Sequence, residues 1–328
     1  GSEMCIRDST NIFDFRQKVF GLYGTGSFES DKWGIKLGLR REHTNTQTNL
    51  VNSNLSNNRN FSDLFPTLHS SFKLIKKLSL QLGYSRRIYR PSLWQLNPFI
   101  NIRNNFNISA GNPDLRPEYS DSYELAAIYN TSGLSINCGI YQLNTIEKIT
   151  YVTSLENNIS KRSPENLGTS NANGIEINGK LDVSKIIVIT SDFNLNRFNR
   201  RGIWGSQNFN FKGTRWSSEF RSKIKFPKDL DIELTLNYLS EYRTVDGERG
   251  PSRNLNFGIR KKIVDSRGVI NLMIRDIFGT RVSESRAIRS NFIVNNWSTS
   301  GTFFSLGLSY GFGKGEAMEY QSKGGRRR

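Results

Sequence analysis

The sequence predicts an all-β fold, an antiparallel up-and-down transmembrane β-barrel, of which this chain holds about 12–14 strands that close or remain an open curled sheet. Three observations carry that prediction. Runs of about ten residues alternate apolar and polar side chains along most of the chain, the period of a strand whose successive residues face opposite sides of a sheet. The connections between these runs alternate between short and long, as they do when short turns lie on one side of a membrane and long loops on the other. No stretch approaches the roughly 18 uninterrupted apolar residues of a spanning helix. A mean hydropathy of −0.53 agrees with a barrel wall, where only every second residue faces lipid.

Taken in order, strands are expected near residues 17–29, 33–43, 64–74, 78–90, 119–130, 134–150, 171–181, 186–198, 209–225, 230–243, 253–262, 268–277 and 301–312. The clearest is 230–243. Leu230, Ile232, Leu234, Leu236, Tyr238 and Tyr242 share one face, and Asp231, Glu233, Thr235, Asn237 and Glu241 the other. Short turns fall at 30–32, 75–77, 131–133, 182–185, 227–229 and 263–267, and long loops at 44–63, 91–118, 153–170, 199–208, 244–252 and 278–300. The closing segment repeats the pattern with aromatics, since Phe304, Leu306, Leu308, Tyr310 and Phe312 alternate with Ser305, Gly307, Ser309 and Gly311.

The ends are read separately. Residues 1–10 carry Glu3-Met4-Cys5-Ile6-Arg7-Asp8-Ser9, a string like a translated sequencing-adapter scar, and are set apart as a non-native leader. Residues 11–313 form the barrel, and 314–328 a polar, basic periplasmic tail ending in Arg326, Arg327 and Arg328. Missing a signal peptide, a chain with such a leader says nothing about its compartment.

A net charge of +17 raises the question of nucleic acid. The basic residues are dispersed, however, and Lys36, Arg87, Lys180 and Arg260 fall on the polar parity of their strands, so no phosphate-tracking stripe forms. Basic side chains beside aromatic belts instead suit the anionic headgroups of outer-membrane lipid. Two cysteines, Cys5 and Cys138, make no disulfide framework, and Cys138 shares the apolar parity of Leu134, Ile136 and Ile140. His43 and His69 have no neighbouring ligand set, and no metal, cofactor or catalytic motif is found. Asp231 and Glu233 share a strand face as paired glycosidase carboxylates do, but acids on a polar barrel wall are commonplace, and the chain is not read as an enzyme.

The longest strand-free stretch, 91–118, is too long for an idle connection. Its Trp94, Asn97, Phe99, Arg103, Asn105 and Phe106 are the candidates for ligand contact, because rings stack while amides both donate and accept hydrogen bonds. The competing reading is a self-packed loop whose aromatics bury one another. At its end stands Gly111-Asn112-Pro113-Asp114-Leu115-Arg116-Pro117-Glu118, whose prolines interrupt pairing and stiffen the entry to the next strand, which makes it structural punctuation. Arg275-Asp276-Ile277-Phe278 is likewise a strand end and not a catalytic dyad, since neighbours on a strand point to opposite faces.

That Gly111–Glu118 string resembles a segment of TonB-dependent receptor barrels. So do Tyr84-Ser85-Arg86-Arg87-Ile88-Tyr89-Arg90-Pro91, Gly38-Leu39-Arg40-Arg41-Glu42, Arg275-Asp276-Ile277-Phe278-Gly279-Thr280 and the closing strand, in the family's order. The resemblance implies a bacterial outer-membrane barrel of 22 strands around an N-terminal plug, of which this chain would hold roughly the last thirteen. It implies energy-coupled uptake of a scarce nutrient (siderophore, cobalamin, glycan or peptide). The implied partners are that ligand, the inner-membrane TonB complex reached through the missing N-terminal part, and the barrel-assembly machinery that reads the closing strand. A basic lumen favours anionic cargo. The alternative is a passive or structural, porin-like barrel without a plug.

Overall fold

In the computed structural model, residues 12–51, 55–104, 106–205, 207–288 and 292–312 are described. The leader and the tail lie outside them. In chain order the elements are β1 (Phe13–Glu29), β2 (Trp33–Leu50), β3 (Leu55–Ile75), β4 (Leu78–Tyr89), α1 (Leu93–Leu96), β5 (Asn101–Asn104), β6 (Asn107–Ser109), β7 (Glu118–Asn130), β8 (Leu134–Ile146), β9 (Ile149–Glu156) and β10 (Ile159–Asn166). There follow β11 (Thr169–Asp182), β12 (Ile187–Trp204), β13 (Gln207–Phe226), β14 (Leu230–Leu239), β15 (Tyr242–Thr244), β16 (Gly247–Arg249), β17 (Ser252–Ile263), β18 (Gly268–Arg275), β19 (Val282–Ile288), β20 (Ile293–Thr299) and β21 (Phe303–Tyr310).

Thirteen of these strands make the wall, an antiparallel sheet in the order β1-β2-β3-β4-β7-β8-β11-β12-β13-β14-β17-β18-β21. They are the thirteen strands expected from the sequence, each beside its chain neighbour. Among the described residues no ladder joins β1 to β21, so the sheet is open at both edges.

Register keeps the apolar parity on one face from strand to strand. Leu82 stands opposite Leu125, Leu125 opposite Ile140, Ile140 opposite Ile175, Ile175 opposite Leu195, and Leu195 opposite Trp216. The row continues through Phe220–Leu236–Leu255 and ends in Ile274–Phe304, Leu272–Leu306 and Ile270–Leu308. Most of these side chains are exposed (Leu306 by 66%, Leu308 by 73%) and Leu195, Leu255, Ile270, Leu272 and Ile274 are half-buried, which in water would invite aggregation and in lipid is the stable arrangement. Cys138 is exposed on this lipid-side parity.

Aromatic pairs mark the two rims of the apolar band. Near the short turns Trp33 packs on Phe72 (centroids 4.5 Å apart) and Tyr310 on Phe312 (5.0 Å). Toward the long loops Tyr84 lies on Tyr123 (5.0 Å) and Trp216 stacks on Tyr238 (4.4 Å). Such girdles sit at the two water interfaces of a bilayer. Beyond the second rim the same parity turns polar, with Arg86 opposite Asp121 and Asp121 opposite Asn144.

The boundaries differ from expectation above that rim. Residues 44–50 and 55–63 are the paired tips of β2 and β3, not loop, and 199–204 with 207–208 extend β12 and β13 in the same way. Once a hairpin rises past the lipid neither face needs to be apolar, so the alternation fades while pairing continues. The Asn45 amide donates to Asn58 Oδ1 (2.9 Å) and Asn60 Oδ1 (2.8 Å), so side-chain bonds replace apolar contact between the strands. β8 stops at Ile146, short of the expected 150, because Glu147 turns into the left-handed region (φ 55°). The 91–118 stretch contains α1, β5 and β6, and the 153–170 loop is the β9–β10 hairpin.

Candidate functional site: the extracellular vestibule

The long connections fold into two small sheets over the mouth. One is ordered β5-β6-β10-β9 and unites the β4–β7 and β8–β11 connections; the other, β15-β16-β19-β20, unites β14–β17 and β18–β21. The polar face of the wall looks toward the first of them. Leu96, Leu115 and Ile149 form a buried cluster against which Phe13 and Phe15 pack, on the parity of β1 that also carries Gln17.

The Gly111–Glu118 string holds this sheet to the wall. The Asn112 side-chain oxygen accepts from Asp114 N (2.9 Å), an Asx turn, while its amide donates to the Pro164 carbonyl (3.2 Å) on β10. Gly111 N donates to the Asn97 carbonyl (2.8 Å), and a Cβ at Gly111 would collide with the carbonyl oxygens of Asn97 and Gln95, so no larger residue fits. Arg59, on β3, donates to the carbonyls of Asp114 (2.8 Å) and Leu115 (3.0 Å) and pairs with the Asp114 carboxylate (2.9 Å). Asn166 accepts from Arg116 N (2.7 Å) and donates to the carbonyls of Arg116 (2.9 Å) and Glu147 (2.7 Å). Glu118 is buried, accepting from Lys148 Nζ (2.9 Å) and Ile149 N (2.7 Å). The string is therefore a fastening, as its prolines suggest. Apart from Asn97, these partners lie 30 to 56 residues away in sequence, beyond what local pattern reveals.

The six candidates from 91–118 separate. Trp94 and Phe106 project into solvent, 79% and 68% exposed. Asn97 is structural, ending α1 and accepting from Phe99 N (3.1 Å), and Phe99 lies edge-on to Phe13 at 6.4 Å. Asn105 and the Arg103 side chain lie outside the described residues. The loop thus both packs on itself and presents two aromatic rings outward. Beneath it, Thr44, Thr46, Arg59, Arg90, Leu96 and Leu115 line a small crevice that opens to solvent.

Several charges in the vestibule are paired. Glu42 is buried between Arg90 (2.5 Å) and Arg40 (3.1 Å). Burial, helped by a hydrogen bond to the Asp63 carboxylate, pushes the Tyr119 phenol up to about 12, so it stays neutral. Arg200 differs. Its guanidinium lies over Phe198 (5.3 Å), burial lowers its pKa, and its Nε is enclosed without a partner. Lower in the wall, Asp231 pairs with Lys223 (2.9 Å) and Glu233 with Arg221 (3.4 Å), so the two acids are cross-strand ion-pair partners. Asp276, at φ 52°, is buried and accepts from Thr280 N (3.0 Å) and Arg281 N (2.9 Å), which makes it the organiser of a turn at the strand end.

An open wall of thirteen long antiparallel strands, girdled by aromatics on its apolar side and roofed on its polar side by folded loops, defines the chain as an outer-membrane β-barrel protein. The chain belongs to the outer membrane protein beta-barrel family, whose model matches residues 2–310. Its place is the bacterial outer membrane. No curated protein matches the sequence. Among solved structures the chain resembles the ferric yersiniabactin uptake receptor FyuA from Yersinia pestis (14% identity, TM-score 0.60, 90% of this chain and 46% of that one). It also resembles the ferric citrate transporter FecA (13%, 0.61, 91% and 46%) and the siderophore receptor PiuA from Acinetobacter baumannii (13%, 0.62, 90% and 43%). At these identities the likeness is one of fold, that of TonB-dependent receptor barrels, and the chain spans less than half the length of each of the three. By name the three are receptors and a transporter.

Proposed function

We propose that this chain forms part of the barrel of an energy-coupled outer-membrane receptor that takes up a scarce nutrient. The observation that supports this most is the roof. Strands rise well past the apolar band and their loops fold into sheets fastened to the polar face, an arrangement suited to capturing a solute before passage. The solved structures of like fold are named as uptake receptors and transporters of ferric siderophores and ferric citrate, which favours a chelated or otherwise anionic cargo. Trp94 and Phe106 are the stacking contacts offered to it. In the parent protein an N-terminal plug would fill the polar lumen and reach the inner-membrane TonB complex, and the closing strand from Phe304 to Phe312 would be read by the barrel-assembly machinery.

The test is uptake by cells carrying the whole parent gene, with ferric siderophores and ferric citrate as probes. Uptake that stops when the proton-motive force is collapsed or the TonB protein is deleted is the expected result. Diffusive, energy-independent permeation would instead establish the porin-like alternative. W94A combined with F106A should weaken cargo binding while heat-modifiable mobility on gels stays normal. Unchanged binding in that variant removes these two residues from the ligand path.

A further inference from the structure

One corner of the wall carries charge that the fold does not balance. At the short-turn end the β1–β2 and β3–β4 turns are stitched side by side. The Lys73 amide donates to the Lys32 carbonyl (2.8 Å), and the residues next to these, Phe72 and Trp33, pack ring on ring. The Lys77 carbonyl in turn accepts from Asn130 N (2.9 Å), which brings the uncharged 131–133 turn and the exposed ring of Tyr129 alongside. Of the short turns, 75–77 is the one that holds bases and no acid. Those at 30–32, 182–185, 227–229 and 263–267 each carry an aspartate with their base, and 131–133 carries no charge. Lys32, Lys76 and Lys77 are exposed, and among the described residues none of them has an ion-pair partner. Leu74 and Ile75, just before the tip, are exposed as well, and the ladder to β4 slips there by one residue, a bulge of the kind that re-aims side chains at a strand end.

A basic tip in open water would need only solvent. This one lies at an aromatic rim, where side chains leave hydrocarbon for the headgroup layer. A lysine at that level rests its stem in the apolar layer and places its ammonium among the phosphates. Each lysine close to an anionic surface favours association by about fivefold. Two at one tip and a third on the adjoining turn act on the same headgroup, while a zwitterionic headgroup, which brings its own cation, gains less.

We propose that Lys32, Lys76 and Lys77, with Trp33 and Phe72 beside them, form a headgroup site for an anionic glycerophospholipid of the leaflet that meets the short turns. The site needs the outward face of the wall and a bilayer, and is independent of the cargo. The protein made from the whole parent gene is extracted in a non-ionic detergent, and lipid retention is read by native mass spectrometry with phosphatidylglycerol and, as its zwitterionic counterpart, phosphatidylcholine. Folding of every variant is checked by heat-modifiable mobility. Phosphatidylglycerol should bind more tightly than phosphatidylcholine by about tenfold or more, K76Q/K77Q should lose that preference, and K32Q should weaken it about fivefold. K76R/K77R, which keeps the charge, should match wild type. So should K185Q, on a distant turn that Asp182 shares. Equal binding of the two lipids, wild-type retention in K76Q/K77Q, or a loss in K76R/K77R or K185Q as large as that in K76Q/K77Q would each overturn the site. Protection of Lys76 and Lys77 from amine acetylation before lipid is added would overturn it too, since the parent's own chain would then cover the corner. None of these readings involves energised uptake, so the failure of either inference leaves the other standing.

Discussion

The two sheets over the mouth are built from the same kind of ladder and held by different means. The β5-β6-β10-β9 sheet encloses Leu96, Leu115, Ile149, Val152 and Leu167 and is fastened by Arg59, Asn112, Asn166 and Glu118. The β15-β16-β19-β20 sheet buries Ala287 and leaves Ile293 and Trp297 in solvent at 54% and 74% exposure. They meet at Asp246, which accepts from Thr153 Oγ1 (3.1 Å) of the first sheet and, through its carbonyl, from Ile288 N (2.6 Å) of the second. Ladder bonds alone exchange water bonds for protein bonds at little net gain, so the burial and the buried polar fastening set the difference in local stability. The first sheet is the more firmly held shoulder of the vestibule, and the second is held mainly by its ladders.

Removing Glu118 should damage the shoulder most. E118A strips partners from Lys148 Nζ and the Ile149 amide at once, and losing one side of a buried ion pair typically costs about 3–5 kcal/mol. Hydrogen exchange along β9 and β10 should accelerate accordingly while β19 and β20 keep their rates. L115A, at a position only 3% exposed, should cost about 3 kcal/mol by the same measurement, through lost contact and the cavity left under Phe13 and Phe15. N112A removes the Asx turn and the link to the Pro164 carbonyl, worth about 1–2 kcal/mol, with opening confined to the β6–β10 junction. At the small end, W297A in the second sheet should change stability by no more than about 0.5 kcal/mol in urea unfolding. A loss above 1 kcal/mol there, or protection in β19 and β20 equal to that in β9 and β10, would break the comparison.

Legibility in the sequence follows the same division. Wall strands could be read because lipid on one side imposes a strict period of two, and all thirteen emerged in the expected order. Strand tips above the band could not, since residues 44–50 and 55–63 have water available on both faces and need no apolar parity. Of the vestibule candidates, Trp94 and Phe106 stand exposed, whereas Phe99 and Asn97 serve the loop's own packing. Arg200 had no local signal at all. It is one arginine among many until Tyr242 and Glu118 arrive from elsewhere in the chain beside Arg200 and its strand neighbour Phe198.

By itself the sequence determined the class of fold, the order of the strands, the side of each that meets lipid and the structural character of Gly111–Glu118. Each of these is imposed by short-range chemistry, namely the alternation of side chains, the turn residues and the missing amide hydrogen of proline. Only the tertiary structure decided which loops knit into which sheet, that Arg59 and Asn166 anchor the proline string, and that Arg200 lies over Phe198 with its Nε enclosed. Those outcomes depend on residues tens of positions apart being brought together by the wall, and pairing across such separations leaves no periodicity along the chain.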